Sequence, residues 1–181
     1  MSKKKVIAIC GSISAHSANL SIIHYLSQLL SDKLEFEIYN ELSLLPHFNP
    51  DLDKETAPAI VKALRKKIEN ADGVLICTPE YVFSLPGALK NALEWCVSTT
   101  VFSGKPVAII TASASGVKAH ESLQLVMETI GADLRKDTLL LIQGAKGKVK
   151  SNGEITDEAV IQKLKDLAVA FDSHLQEKVE L

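Results

Sequence analysis

Short apolar runs alternate along the chain with longer stretches whose apolar residues recur every three or four positions. The runs Val6–Cys10, Leu34–Tyr39, Gly73–Cys77, Pro106–Thr111 and Leu134–Ile142 have the length of β-strands. Val6–Cys10 and Gly73–Cys77 are apolar throughout, the mark of central parallel strands covered on both faces. Between Asn19 and Leu30, the residues Leu20, Ile23, Leu26 and Leu30 fall close to helical spacing. Further helices are predicted from Thr56 or Ala57 to the turn at Asp72-Gly73, from Pro86 to Cys96, from Lys118 to Ile130 with Gly131 as the stop, and from Thr156 to about Glu177. Pro86 reads as the first helical residue of its helix and Thr156 as an N-cap. Strict alternation of strand and helix predicts one α/β domain over residues 1–181. Its parallel sheet is expected in the order 2-1-3-4-5, with helices on both faces.

Two segments stand outside this rhythm. Asn40 to Glu55 holds Pro46, Asn49 and Pro50 and is longer than an ordinary connection. It is read as functional or interfacial, with His47 and Phe48 as candidate interface residues. Gln143 to Gly153 is polar and glycine-rich and is read as a mobile segment.

Charge excludes more than it suggests. The formal net charge of −2 and the lack of a basic stripe argue against a nucleic-acid partner. Lysines at Lys3–Lys5 and from Lys62 to Lys67 read as a solvated end and a solvated helix face. No apolar run approaches the roughly 20 residues of a membrane span. The apolar run after Lys5 is too short for a signal peptide, so a cytoplasmic protein is expected. Cys10, Cys77 and Cys96 have no metal-ligand or redox spacing, and no metal is expected.

The chemistry is expected at the carboxyl ends of strands, where ligands of open α/β sheets bind. Strand one runs into Gly11-Ser12-Ile13-Ser14-Ala15-His16-Ser17-Ala18-Asn19. Hydroxyls at Ser12, Ser14 and Ser17, small neighbours and a following helix N-terminus suit an anion such as a phosphate. Asn19 is a candidate helix cap. Gly-x-Gly-x-x-Gly and the Gly-Lys-Ser/Thr signature are both absent, which disfavours a dinucleotide fingerprint and an NTPase. Strand three runs into Thr78-Pro79-Glu80-Tyr81-Val82-Phe83-Ser84-Leu85-Pro86, a stiff bend able to present backbone N–H groups to a flat heterocycle. Glu80 reads as a solvated or capping carboxylate and Phe83 as a core or interface aromatic. Leu89, Ala92, Leu93 and Trp95 read as structural.

Gly11-Ser12, Ser17 and Asn19, taken with Pro79-Glu80-Tyr81, Pro86-Gly87, Leu89-Lys90-Asn91-Ala92 and Trp95, resemble the NAD(P)H-dependent FMN reductases, a flavodoxin-like group that includes quinone, chromate and azo reductases. The resemblance implies FMN as a non-covalent cofactor and NADPH or NADH as hydride donor. A small acceptor such as a quinone, flavin, azo compound or chromate would receive the electrons. It places Gly11, Ser12, Ser14, Ser17, Ala18 and Asn19 at the phosphate. Pro79, Glu80, Tyr81 and Val82 would lie along the ring and ribityl, and Ser113, Ala114, Ser115 and Gly116 at the other ring edge. It names no catalytic side chain, because the flavin carries the chemistry. It also implies a homodimer or homotetramer.

This chain departs from the family pattern at Ser14, where Arg is usual, and at Val82, where Asn is usual. Loss of the guanidinium predicts a weaker hold on phosphate, with His16 or a partner-chain residue in compensation. Two alternatives stand beside the reductase. One is a flavodoxin-like electron carrier, which the near-neutral charge disfavours. The other is a member that binds a partner protein without flavin.

Overall fold

The computed structural model describes residues 3–14, 17–53, 56–150 and 152–177. Five strands, β1 (Lys4–Cys10), β2 (Leu34–Tyr39), β3 (Gly73–Thr78), β4 (Pro106–Ser113) and β5 (Asp133–Gln143), form one sheet in the order β2-β1-β3-β4-β5. Every pairing is parallel, as the alternation predicts. The helices are α1 (Ala18–Leu29), α2 (Ala59–Asn70), α3 (Gly87–Glu94), α4 (Val117–Thr129) and α5 (Glu158–Glu177).

Burial explains the layers. All six residues of β3 are buried, and β4 is buried up to Ser113, since helices cover both faces of the sheet centre. Successive residues of a strand feed opposite faces. Ile7, Ile9, Val74, Ile76, Val107 and Ile109 pack against Val61, Leu64, Leu89, Trp95 and Leu123 of α2 to α4. Val6, Ala8, Cys10, Leu75, Cys77 and Ile110 pack against Ile22, Leu26, Leu164 and Phe171 of α1 and α5. The edge strands β2 and β5 mix buried and open positions.

Capping chemistry moves several helix starts. Ser17, not Asn19, caps α1, with its Oγ accepting the Asn19 N–H at 3.2 Å. The cap of α5 is Asp157, one residue past Thr156, whose Oδ1 accepts the Val160 N–H at 3.0 Å. Pro58 and Pro86 sit just outside α2 and α3 rather than within them.

The two irregular segments are built into the fold. Asn91 accepts the Phe48 N–H at 2.7 Å and donates to the Pro46 carbonyl at 3.0 Å. The Trp95 indole donates to the same carbonyl at 2.7 Å. Phe48 packs edge-on against Trp95, with ring centroids 5.2 Å apart. A buried Arg65–Asp53 ion pair holds the far end of that loop. The structural reading of Leu89, Ala92, Leu93 and Trp95 is borne out, since all four are buried. The described residues of the 143–153 segment, expected to be mobile, carry local structure. A 3-10 turn at Ala145–Gly147 and a Val149–Ile155 bridge pin it, and Ala145, Val149 and Ile155 are buried.

Candidate functional site

A cleft of about 890 Å³ opens at the carboxyl edge of the sheet, within the range of small-molecule sites (about 300–1,000 Å³). Ser12, Ser14, Ser17 and Ala18 line it from the turn between β1 and α1. Pro79 and Tyr81 come from the loop after β3, and Ser113 and Ala114 from the end of β4. The hydroxyl-bearing loop and the proline–tyrosine loop thus meet in one place, as the sequence predicts.

The other predicted residues buttress the cleft rather than line it. The Gly11 N–H donates to the Cys77 carbonyl at 2.8 Å, extending the β1–β3 ladder by one residue. A Cβ on Gly11 would lie 2.2 Å from Thr78 Oγ1, so glycine is required there for space and not for backbone conformation. Asn19 is buried in the first turn of α1. Its Nδ2 donates to the Ala112 carbonyl at 3.3 Å, and its Oδ1 accepts from Cys77 Sγ at 3.4 Å. The side chain therefore ties α1 to the ends of β3 and β4.

Glu80 is the cap that α4 lacks from its own chain start. Gly116 precedes α4 with φ 83° and no side chain to offer. Glu80 Oε1 accepts the Gly116 N–H and Oε2 the Ala119 N–H, each at 3.0 Å. The backbone donors of Ala119 and Gly116 hold the Glu80 carboxyl below its usual range. Of its two sequence readings, the capping carboxylate is the one observed. Ser115 and Gly116 belong to this joint and not to the cleft wall.

Val82 and Phe83 form a strained apex. Reciprocal bonds between Tyr81 and Ser84, both 3.0 Å, close a two-residue turn. Both apex residues are left-handed, with φ 51° at Val82 and 54° at Phe83. That conformation costs a β-branched residue about 1–2 kcal/mol, which explains why Asn suits the position better. Val82 is 94% and Phe83 76% exposed, so Phe83 is not a core residue.

A wall from the 144–153 segment was not anticipated from sequence. It contributes Lys146, Lys150 and Asn152, opposite Ser21 and His24 of α1. The signal was available, because this segment leaves the carboxyl end of β5 as the other loops leave theirs. Among the described residues, His24, Tyr81, Lys146 and Lys150 are the titratable groups of the cleft, and no carboxylate side chain lines it. His16 lies outside the described residues. The cysteines are buried free thiols. Burial pushes Cys10 and Cys77 up, and Cys96 up to about 12, which leaves none as a thiolate at neutral pH.

Hydroxyl donors, a helix N-terminus and two ammonium groups, with no acid side chain among the described lining residues, suit a phosphate ester in the cleft. Pro79, Tyr81 and Ala114 suit a flat ring. Comparison with known proteins agrees. The model of the family described as NADPH-dependent FMN reductase matches residues 4–146. A 2-hydroxy-1,4-benzoquinone reductase of a Burkholderia species is 32% identical over 160 residues, covering 85% of this chain and 86% of that protein. A quinone reductase of Escherichia coli K12 is 30% identical, with 96% of each chain covered. Among solved structures, FerB, the flavoenzyme NAD(P)H:(acceptor) oxidoreductase of Paracoccus denitrificans, superposes with a TM-score of 0.84. It is 30% identical, with 96% of this chain and 98% of that one covered. The fold is therefore flavodoxin-like, and this chain belongs to the NADPH-dependent FMN reductase family.

Proposed function

We propose that this protein is a cytosolic two-electron reductase of small quinone-class acceptors, with FMN as cofactor and NADPH or NADH as hydride donor. The observation that carries the reading is the single cleft joining hydroxyl donors of the first loop to Pro79, Tyr81, Ser113 and Ala114. The quinone reductases among its relatives support the acceptor class. FMN held here would supply the redox chemistry, a two-electron transfer between nicotinamide and acceptor. The chain's own work is positional. Ser12, Ser14 and Ser17 hold the phosphate with small hydroxyls. Pro79 and Tyr81 lie along one side of the ring, and Ser113 and Ala114 border another. Glu80 keeps the two ring-side loops in register through α4. Burial has raised the thiols, and no carboxylate side chain among the described residues lines the cleft. No side chain is assigned as an acid or base.

The test is a visible spectrum of the purified protein, before and after added FMN, then with NADPH or NADH under anaerobic conditions and finally with a benzoquinone. Flavin bands are expected to follow the protein, to bleach with the nicotinamide and to return with the quinone. Bleaching by nicotinamide that no small acceptor reverses, with turnover only through a protein, would favour the electron carrier. Protein that neither carries nor takes up FMN would favour the partner-binding alternative.

The same reading includes self-association through the cleft rim. Ile13 is 64%, Val82 94% and Phe83 76% exposed, and a strained apolar apex is retained when something uses it. Phe48 is engaged within its own chain, whereas His47 and Leu44 are among the exposed residues of that loop. Sedimentation of the wild type is expected to show a dimer or tetramer, and Phe83→Asp a smaller species. A monomeric wild type, or an unchanged assembly in the variant, would remove the rim from the interface.

A further inference from the structure

The loop expected to grip a phosphate has hydroxyls but, among its described residues, no cation. Among the described residues, the positive charge of the cleft comes instead from Lys146 and Lys150, and His24 of α1 lines the same cleft. No Asp or Glu side chain among the described residues shares the lining, in a chain whose formal charge is −2. Lys150 reaches Glu154 at 2.9 Å in an exposed pair of the kind that contributes little. Lys146 has no ion-pair partner among the described residues.

These lysines stand on a fixed support. Gly144 turns the chain with φ 66°, and its N–H donates to the Ala114 carbonyl at 3.0 Å, which joins the segment to the end of β4. The Val149 N–H donates back to the Ala145 carbonyl at 3.1 Å. Gly153, with φ 88°, lets the returning chain press on α1, where an added Cβ would sit 3.2 Å from Ser21 Oγ. The segment is thereby held beside the first turns of α1, where Ser17 and Ala18 line the same cleft.

We infer that Lys146, seconded by Lys150, supplies the charge that holds the phosphate ester of the flavin mononucleotide in this cleft. The inference rests on the flavin reading given above. Hydroxyls and the α1 N-terminus already favour FMN over riboflavin, which lacks the phosphate, and an ammonium group adds charge attraction for the dianion. Lys146 therefore strengthens the preference for FMN over riboflavin and adds to the salt dependence of FMN binding.

The experiment measures dissociation constants of FMN and riboflavin by flavin fluorescence, on flavin-stripped full-length protein at low and high salt. It compares wild type with Lys146→Ala, Lys146→Arg and Lys150→Ala, each checked for an unchanged melting temperature. Lys146→Ala is expected to weaken FMN about tenfold and leave riboflavin unchanged. Its FMN binding should lose part of its salt dependence, Lys146→Arg should restore it, and Lys150→Ala should have a smaller effect. An FMN-to-riboflavin ratio unchanged in both alanine variants would overturn the assignment. So would an effect confined to the Michaelis constant of NADPH, which would give the lysines to the nicotinamide donor instead. Wild type that binds neither flavin would overturn the flavin reading itself.

Discussion

Gly11→Ala is expected to destabilise the protein by about 3 kcal/mol and to lower its melting temperature by roughly 6–12 °C. A Cβ at this position would lie 2.2 Å from Thr78 Oγ1, 2.6 Å from Thr78 Cβ and 3.1 Å from Leu89 Cδ2. Carbon atoms pack at about 3.5–4.0 Å, so the first two contacts require the strands to part. Thr78 cannot swing away, because it is wholly buried and its hydroxyl donates to the Pro79 carbonyl at 3.1 Å. Parting falls where the Gly11 N–H meets the Cys77 carbonyl, at the root of both loops that line the cleft. FMN affinity should therefore fall along with stability. Thr78→Ser keeps both clashing atoms and should rescue nothing. Thr78→Gly removes both, so the double variant should be less destabilised than the sum of its parts by about 1–2 kcal/mol. Chemical denaturation of the four proteins decides the matter. A Gly11→Ala protein within about 0.5 kcal/mol of wild type, the scatter of an ordinary surface change, would mean that the strand ends yield freely.

What the sequence made legible follows from which interactions are local. Uninterrupted apolar runs such as Gly73–Cys77 announced the sheet centre, because burial on both faces leaves no room for polar alternation. Helix starts slipped by a residue or two, since Ser17 and Asn19, or Thr156 and Asp157, are equally good caps on paper. The hydroxyls of the first loop could be read as a ligand site because they follow a strand end, although one of them, Ser17, also caps α1. The direction of a side chain was not legible. Asn19 and Glu80 carry ligand-binding chemistry, yet their partners are Ala112, Cys77, Gly116 and Ala119, far along the chain. The burial of Ala145, Val149 and Ile155 was hidden for the same reason, because the 143–153 composition is polar and the partners of these residues are remote.

Glu80 joins the two ring-side loops, and its removal is the second large effect expected. In Glu80→Ala, the N–H groups of Gly116 and Ala119 lose the carboxylate that each meets at 3.0 Å. An N-cap is worth about 1–2 kcal/mol, and Gly116 has no side chain to replace it. The loss should also loosen the loop after β3 from the loop after β4, although the Ser113 hydroxyl keeps its 3.4 Å bond to the main-chain carbonyl of residue 80. FMN should then bind about tenfold more weakly, because both ring-side loops must be reordered on binding. Glu80→Gln keeps one acceptor and should fall between the two. The pH dependence has a definite sign. The backbone donors of Ala119 and Gly116 lower the carboxyl in the folded protein from an ordinary value of 4.5. Its stabilisation is thus fully present above that ordinary value and is lost as pH falls through the lower folded value. The gap between wild type and Glu80→Gln should be constant at neutral pH and narrow in acid. Denaturation series at several pH values, paired with FMN titrations, test both halves. If Glu80→Ala matches wild type in stability and in FMN affinity, the two loops are held by something else. If it loses stability but keeps affinity, Glu80 caps α4 without organising the cleft.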